Sequence, residues 1–156
     1  MRACTEPGAR VLLLVWLIAT GCAARRPPAV VGAVPGGVEA FLSSHPLGAG
    51  QAIRIDEVAR TPAASYHLVQ VRGAESPHRH RTHDLTIFVL RGNGVLTLDG
   101  TQTPLHAGDA AVISRDRAHW FARHGDDTAV SLVVFTPPLD APDSVPASVD
   151  PMSGRQ

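Results

Sequence analysis

Lysine is absent from this chain of 156 residues; all 14 basic residues are arginines. Schiff-base chemistry at a lysine amine is therefore excluded. Acidic residues also number 14 and the formal charge is zero, so no basic surplus exists to neutralise a phosphate backbone. No nucleic-acid partner is expected. No Ser-His-Asp or Cys-His arrangement for nucleophilic catalysis can be argued, and no glycine loop of the phosphate-cradling kind is present. Apolar runs are short. "VLLLVWLIA" at 11–19 is nine residues, against the roughly 20 that a membrane-spanning helix needs. Helical periodicity of useful length and internal repeats are also missing. What remains is one domain's worth of chain, 44% hydrophobic and 18% charged, with 14 Gly and 13 Pro implying many turns.

The N-terminus has the form of an export signal: Arg2 and Arg10, the apolar run, then small residues up to Cys22. "ATGC" at 19–22 resembles the lipobox of bacterial lipoproteins, with Ala19 where that family usually has Leu. The resemblance implies a signal over 1–21, removed by cleavage, and a diacylglyceryl group on the Cys22 thiol. Cys4 then leaves with the signal and Cys22 is lipidated, so no thiol remains for a disulfide framework. Ala23, rather than Asp, follows the cysteine. In Gram-negative lipoproteins this favours the outer membrane, with the domain facing the periplasm or the cell surface. Residues 22–37 read as a Pro- and Gly-containing tether. "VEAFLSS" at 38–44 reads as a turn or two of helix, ended by His45-Pro46. Residues 137–156, rich in Pro and Asp, are expected to be a disordered tail.

Between these lie short strands separated by turns: 52–58, 65–71, 84–91, 95–99, 109–114, 118–124 and 129–136. The Gly92-Asn93-Gly94 sequence between 84–91 and 95–99 suggests that those two pair as a hairpin. The fold class expected is all-β, an antiparallel barrel or sandwich occupying residues 38–136 as a single domain.

Eight histidines punctuate this pattern, three of them in "HRHRTH" at 78–83. Strand side chains alternate faces, so His78 and His80 point one way and Arg79 the other, and two imidazoles can meet one ion. The surrounding motifs resemble those of the cupin family, small β-barrels of the jelly-roll type with a site inside the barrel. The family's first motif is His-x-His, three or four residues, Glu, six residues, Gly. His78 and His80 open it here and Gly92 closes it. The second is Gly, five residues, Pro-x-Gly, two residues, His, three residues, Asn. Gly108 opens it and His119 falls on the third histidine, with Ser114, Asp116 and Arg123 replacing Pro, Gly and Asn. The turn "SRDR" can still reverse the chain through Ser and Asp side chains bonding their own backbone.

The family glutamate is replaced as well. Four residues on from His80, and six back from Gly92, both reach Leu85. Asp84 fits the three-residue spacing, and a regular pleat continued from His80 would put it on the histidine face. The longer spacing requires a break in alternation and turns Leu85, Ile87 and Val89 inward. The site expected is His78, His80 and His119, with Asp84 as an alternative fourth ligand and His83 as another substitute. Phe121 shares the His119 face and would wall the pocket, whereas Trp120 would pack outside it. His67 is read as a strand residue with a local hydrogen bond. His45, His106 and His124 are read as solvated, and Arg79 and Arg81 as solvated charges beside the site.

Three neutral imidazoles suit Fe, Mn, Zn, Ni or Cu and leave coordination positions open. The resemblance therefore implies a metal-dependent enzyme acting on a small molecule, with dioxygenase chemistry ahead of isomerase or lyase chemistry. The alternative is a non-catalytic lipoprotein that binds a metal or small ligand. Partners expected are that small molecule, the membrane through the N-terminal lipid, and a second copy of the chain in a homodimer.

Overall fold

A computed structural model describes residues 36–148. The signal expected over 1–21, Cys22 and most of the tether lie outside these residues. One helix, α1 (Gly37–Ser44), precedes ten strands: β1 (Ile53–Arg60), β2 (Ser65–Val71), β3 (His78–His80), β4 (Asp84–Arg91), β5 (Asn93–Leu98), β6 (Thr101–His106), β7 (Ala110–Ile113), β8 (His119–His124), β9 (Ala129–Thr136) and β10 (Ser144–Pro146). They form two five-stranded sheets, ordered β1-β2-β9-β4-β7 and β10-β3-β8-β5-β6. Every pairing between named strands is antiparallel. This is the all-β barrel expected, a jelly roll with its core between the sheets.

Period-two alternation explains which side chains fill that core. On β9, Val133 and Phe135 join the interior cluster, while Val130 faces outward toward the helix. On β2, Val69 and Val71 face in and Leu68 faces out. Helix α1 has only eight residues, too few for a helix to persist alone in water. It is held by burying Val38 and Leu42 against Leu68 and Val130 on the outer face of the first sheet. Burial of each such side chain stabilises by about 1.5–3 kcal/mol. Arg91 adds an exposed ion pair to Glu39 at 3.1 Å, of minor energetic weight.

The structure corrects two expectations. β4 and β5 are not a hairpin, because they belong to different sheets. Gly92, at φ 77°, turns the chain from one sheet to the other, and a Cβ there would lie 2.9 Å from the Ala129 Cα. Gly94 leaves room for the Phe121 ring and the Ala122 carbonyl. The true hairpin joins β5 to β6 through Asp99 and Gly100, with φ of 45° and 83°. Two successive positive φ values are what a tight turn between twisted strands requires.

The second correction concerns the tail. Residues 137–148 are ordered: β10 pairs with β3, in register Ser144↔His80 and Pro146↔His78. Pro146 is tolerated because β10 is an edge strand. Residues 149–156 lie outside the described part.

Candidate metal centre

His78 and His80 lie on β3, two positions apart and therefore on one face. His119 begins β8 and stands directly opposite His78 in the antiparallel register. Pairing across neighbouring strands thus places the third imidazole beside the first two. Ring centroids are 4.4 Å apart for His78–His119, 5.2 Å for His78–His80 and 5.5 Å for His80–His119. One ring nitrogen from each lies within 4.8 Å of the others.

Each ring has its Nδ1 engaged by an acceptor outside the three-histidine cluster. His78 Nδ1 donates to the Ser76 carbonyl and His119 Nδ1 to the Arg117 carbonyl, both at 2.9 Å. His80 Nδ1 donates to Asp143 Oδ1 at 2.6 Å. A carbonyl oxygen can only accept, so the proton sits on Nδ1 and the Nε2 lone pair is left free. Acceptors of this kind fix ring orientation and make the other nitrogen a better donor to a metal. The three residues fit a divalent transition metal on donor type, spacing and tautomer.

Burial acts on the same groups. It lowers the His119 pKa to about 4, against a smaller upward effect from the Arg117 carbonyl. His80 is also lowered by burial, with Asp143 opposing. Burial alone would raise the Asp143 carboxyl, but hydrogen bonds from His83, His80 and Thr82 outweigh it and hold the group well below the usual carboxylate range. Both buried imidazoles are therefore held neutral, the form that ligates.

Asp84 does not join the histidine cluster. Its Oδ1 accepts from the Arg115 backbone N–H at 2.7 Å and its Oδ2 pairs with the Arg115 guanidinium at 3.1 Å, away from the histidines. The pleat does not carry from His80 to Asp84 because β3 ends and the chain crosses to the other sheet. Leu85, Ile87 and Val89 line the cavity instead. His83 does not join the cluster either: its Nδ1 lies 2.5 Å from Asp143 Oδ2 and its Nε2 3.2 Å from the Pro138 carbonyl. Phe121 walls the cavity and Trp120 does not. His67 Nε2 bonds Ser65 Oγ at 2.9 Å. His106 and His124 are exposed, whereas His45 is half-buried, stacked on Phe41 at 4.0 Å. Asp116, where the family has Gly, takes up the left-handed conformation at φ 64°, which Asp tolerates better than most residues. Its N–H reaches the His80 carbonyl at 2.6 Å.

The histidines open onto a cavity of about 630 Å³. Its walls are mainly aliphatic and, among the described residues, no Arg lines it. Two carboxylates there had no sequence signal. Asp143 lies in the Pro-rich segment, 63 positions from the histidine it holds. Glu75 precedes β3, and its Oε2 accepts the Phe121 N–H at 2.9 Å. Burial raises the Glu75 carboxyl above its ordinary pKa, with His78 acting in the opposite sense.

The cupin domain family matches residues 65–135, the span that holds all three histidines. The chain belongs to the cupin family. An uncharacterized protein of Aquifex aeolicus (strain VF5) is 38% identical over 98 residues, covering 63% of this cupin and 80% of the relative. Among solved structures, KdgF from Halomonas sp. is 30% identical with a TM-score of 0.54, over 57% of this chain and 82% of its own. Pac13 from Streptomyces, a nucleoside dehydratase solved with uridine, is 19% identical with a TM-score of 0.53, over 63% of this chain and 79% of its own. At that identity it shows the shared fold alone.

Proposed function

We propose that this cupin is a metal-dependent enzyme of the bacterial cell envelope, acting on a small, largely apolar molecule inside the barrel. The observation that carries the proposal is the engagement of three Nδ1 atoms by acceptors outside the cluster, which leaves the Nε2 lone pair free on each of three histidines whose ring nitrogens approach within 4.8 Å. His78, His80 and His119 would hold an ion of the Fe, Mn, Zn, Ni or Cu group. When bound, such an ion supplies Lewis acidity and open positions for substrate or dioxygen.

The chain's own residues set what enters. Ile87, Val89, Leu96 and Leu105 present hydrocarbon to the cavity and exclude water from its walls. Among the described residues no Arg lines the cavity, and the chain has no Lys, so the walls favour the uncharged part of a substrate and an anionic group would have only the ion to bind. Dioxygenase chemistry is the first reading, because an apolar cavity with no carboxylate among the ligands suits an apolar substrate and dioxygen together. Isomerase or lyase chemistry is the second, favoured by Glu75: this carboxyl is oriented by the Phe121 N–H and lines the same cavity, where it could accept or donate a proton. The Streptomyces dehydratase illustrates that the fold hosts such chemistry without assigning it here.

Metal-loaded full-length protein, offered candidate diketones, thiols and sugars with and without air, separates these readings. Oxygen uptake matched to product marks a dioxygenase. Product formed without air, and lost in Glu75→Gln, marks an isomerase or lyase. Tight metal binding with neither outcome across a broad substrate set would overturn the enzyme reading in favour of a binding module.

The anchor belongs to the same proposal and rests on "ATGC" at 19–22. Fatty-acid label should be incorporated into the wild-type chain and not into Cys22→Ser, which should move to the soluble fraction. An unlabelled, soluble wild-type chain would remove the anchor from the account.

A further inference from the structure

The three Nδ1 acceptors are not equivalent. Ser76 and Arg117 lie two residues from the histidines they hold, so those carbonyls come with their own histidines. His80 alone is held by a distant segment, through Asp143. That carboxylate is pinned in turn. Its Oδ2 accepts from His83 Nδ1 at 2.5 Å, from Thr82 Oγ1 at 3.0 Å and from the Thr82 N–H at 3.2 Å. Its side chain is only 12% exposed. The segment carrying it continues into β10, which lies against β3, the strand bearing two of the three histidines. Ala147 N–H extends the contact to the Pro77 carbonyl at 3.0 Å. Leu139, Pro142 and Ser144 of the same segment reach the cavity.

We propose that Asp143 is a positioning residue that couples metal affinity to the seating of residues 137–148 as a strap across β3. The inference rests on the three-histidine reading. With the strap seated, a carboxylate fixes the His80 ring and strengthens its Nε2 as a donor. With the strap displaced, His80 keeps its place on β3 and loses its orienting partner. Coupling is reciprocal: whatever the seated strap adds to ion affinity, a bound ion adds to the seating of the strap.

Full-length protein titrated with Co(II) alone tests this, read by visible absorption, chelator competition and amide exchange at Ala147. Asp143→Asn is expected to weaken Co(II) binding by about 10–100-fold, the range for loss of a ligand's outer partner. Co(II) should slow exchange at Ala147 in the wild type. His83→Ala, which removes one donor to Asp143 and leaves the three ligands intact, should weaken binding in the same direction. Asp140→Asn is the control on the same strap: Asp140 is exposed, its ion pair with Arg60 is a surface one of little weight, and the Arg60 bond to the Leu139 carbonyl still holds the strap at that point; its affinity should match the wild type. Wild-type affinity in Asp143→Asn overturns the proposal, as does an equal loss in Asp140→Asn. Should Asp143→Asn fail to fold, wild-type affinity in His83→Ala overturns it. A wild-type chain that binds no Co(II) is a different result and overturns the three-histidine reading itself.

Discussion

His119 is 3% exposed, and burial lowers its pKa to about 4. In the unfolded chain the same imidazole protonates at its ordinary value of 6.5. Above that value both states are neutral at this site and it contributes no slope. Between 6.5 and about 4 the unfolded state binds the extra proton, so stability falls as pH falls. His80 shifts in the same direction. Glu75, raised by burial, acts in the opposite sense in its own range, so the difference in urea midpoint between the metal-free wild type and His119→Leu isolates the His119 contribution. That difference should be level from about pH 8 to 7 and shift against the wild type from there toward about pH 4; a difference that moves in the wild type's favour on acidification would contradict the assignment. At this scale the three clustered histidines were legible because His-x-His spacing fixes a shared face and motif spacing locates His119. Asp84 and Leu85 could not be separated in the same way, since face alternation is lost where the chain changes sheets. Asp143 was beyond reach: no periodicity links position 143 to position 80.

β2, β4 and β9 fall within the strand ranges read from sequence, because each is a run of β-branched and aliphatic residues bounded by turn residues. β6 went unread. Of its six residues only Leu105 is buried, and Pro104 sits in its middle. An edge strand of this kind has almost no alternation to detect. β10, three residues including Pro146, is hidden for the same reason. The misplaced hairpin has a different cause. Gly-Asn-Gly has the composition of a hairpin turn, but its glycines serve a sheet crossing at Gly92 and close ring packing at Gly94. Asp99-Gly100 carries the paired positive φ values. Gly100→Ala should cost about 1–2 kcal/mol of folding stability, the penalty for a Cβ in the left-handed region, measured by denaturant unfolding. A change within about 0.5 kcal/mol, the ordinary range for surface substitutions, would show that the turn tolerates a side chain.

At the scale of the whole molecule, two sheets enclose an apolar cavity and the Pro-rich segment after β9 pairs alongside β3, the strand that carries His78 and His80. Among the described residues no helix is long and apolar enough to cross a membrane. The proposed attachment therefore rests on Cys22 at the far end of the tether. An uncharged substrate should bind with little dependence on ionic strength, because among the described residues no Arg lines the cavity to steer or pair with a charged group. Affinity that falls steeply with added salt would mean that charges outside the cavity, such as Arg79 or Arg81, take part in recognition.

All of these functional claims depend on three imidazoles sharing one ion. Element analysis of the purified full-length chain beside His119→Ala measures that most directly. About one equivalent of a transition metal in the wild type, lost in the variant, is the result predicted by convergence of His119 with His78 and His80. Equal metal content in the two proteins would contradict it.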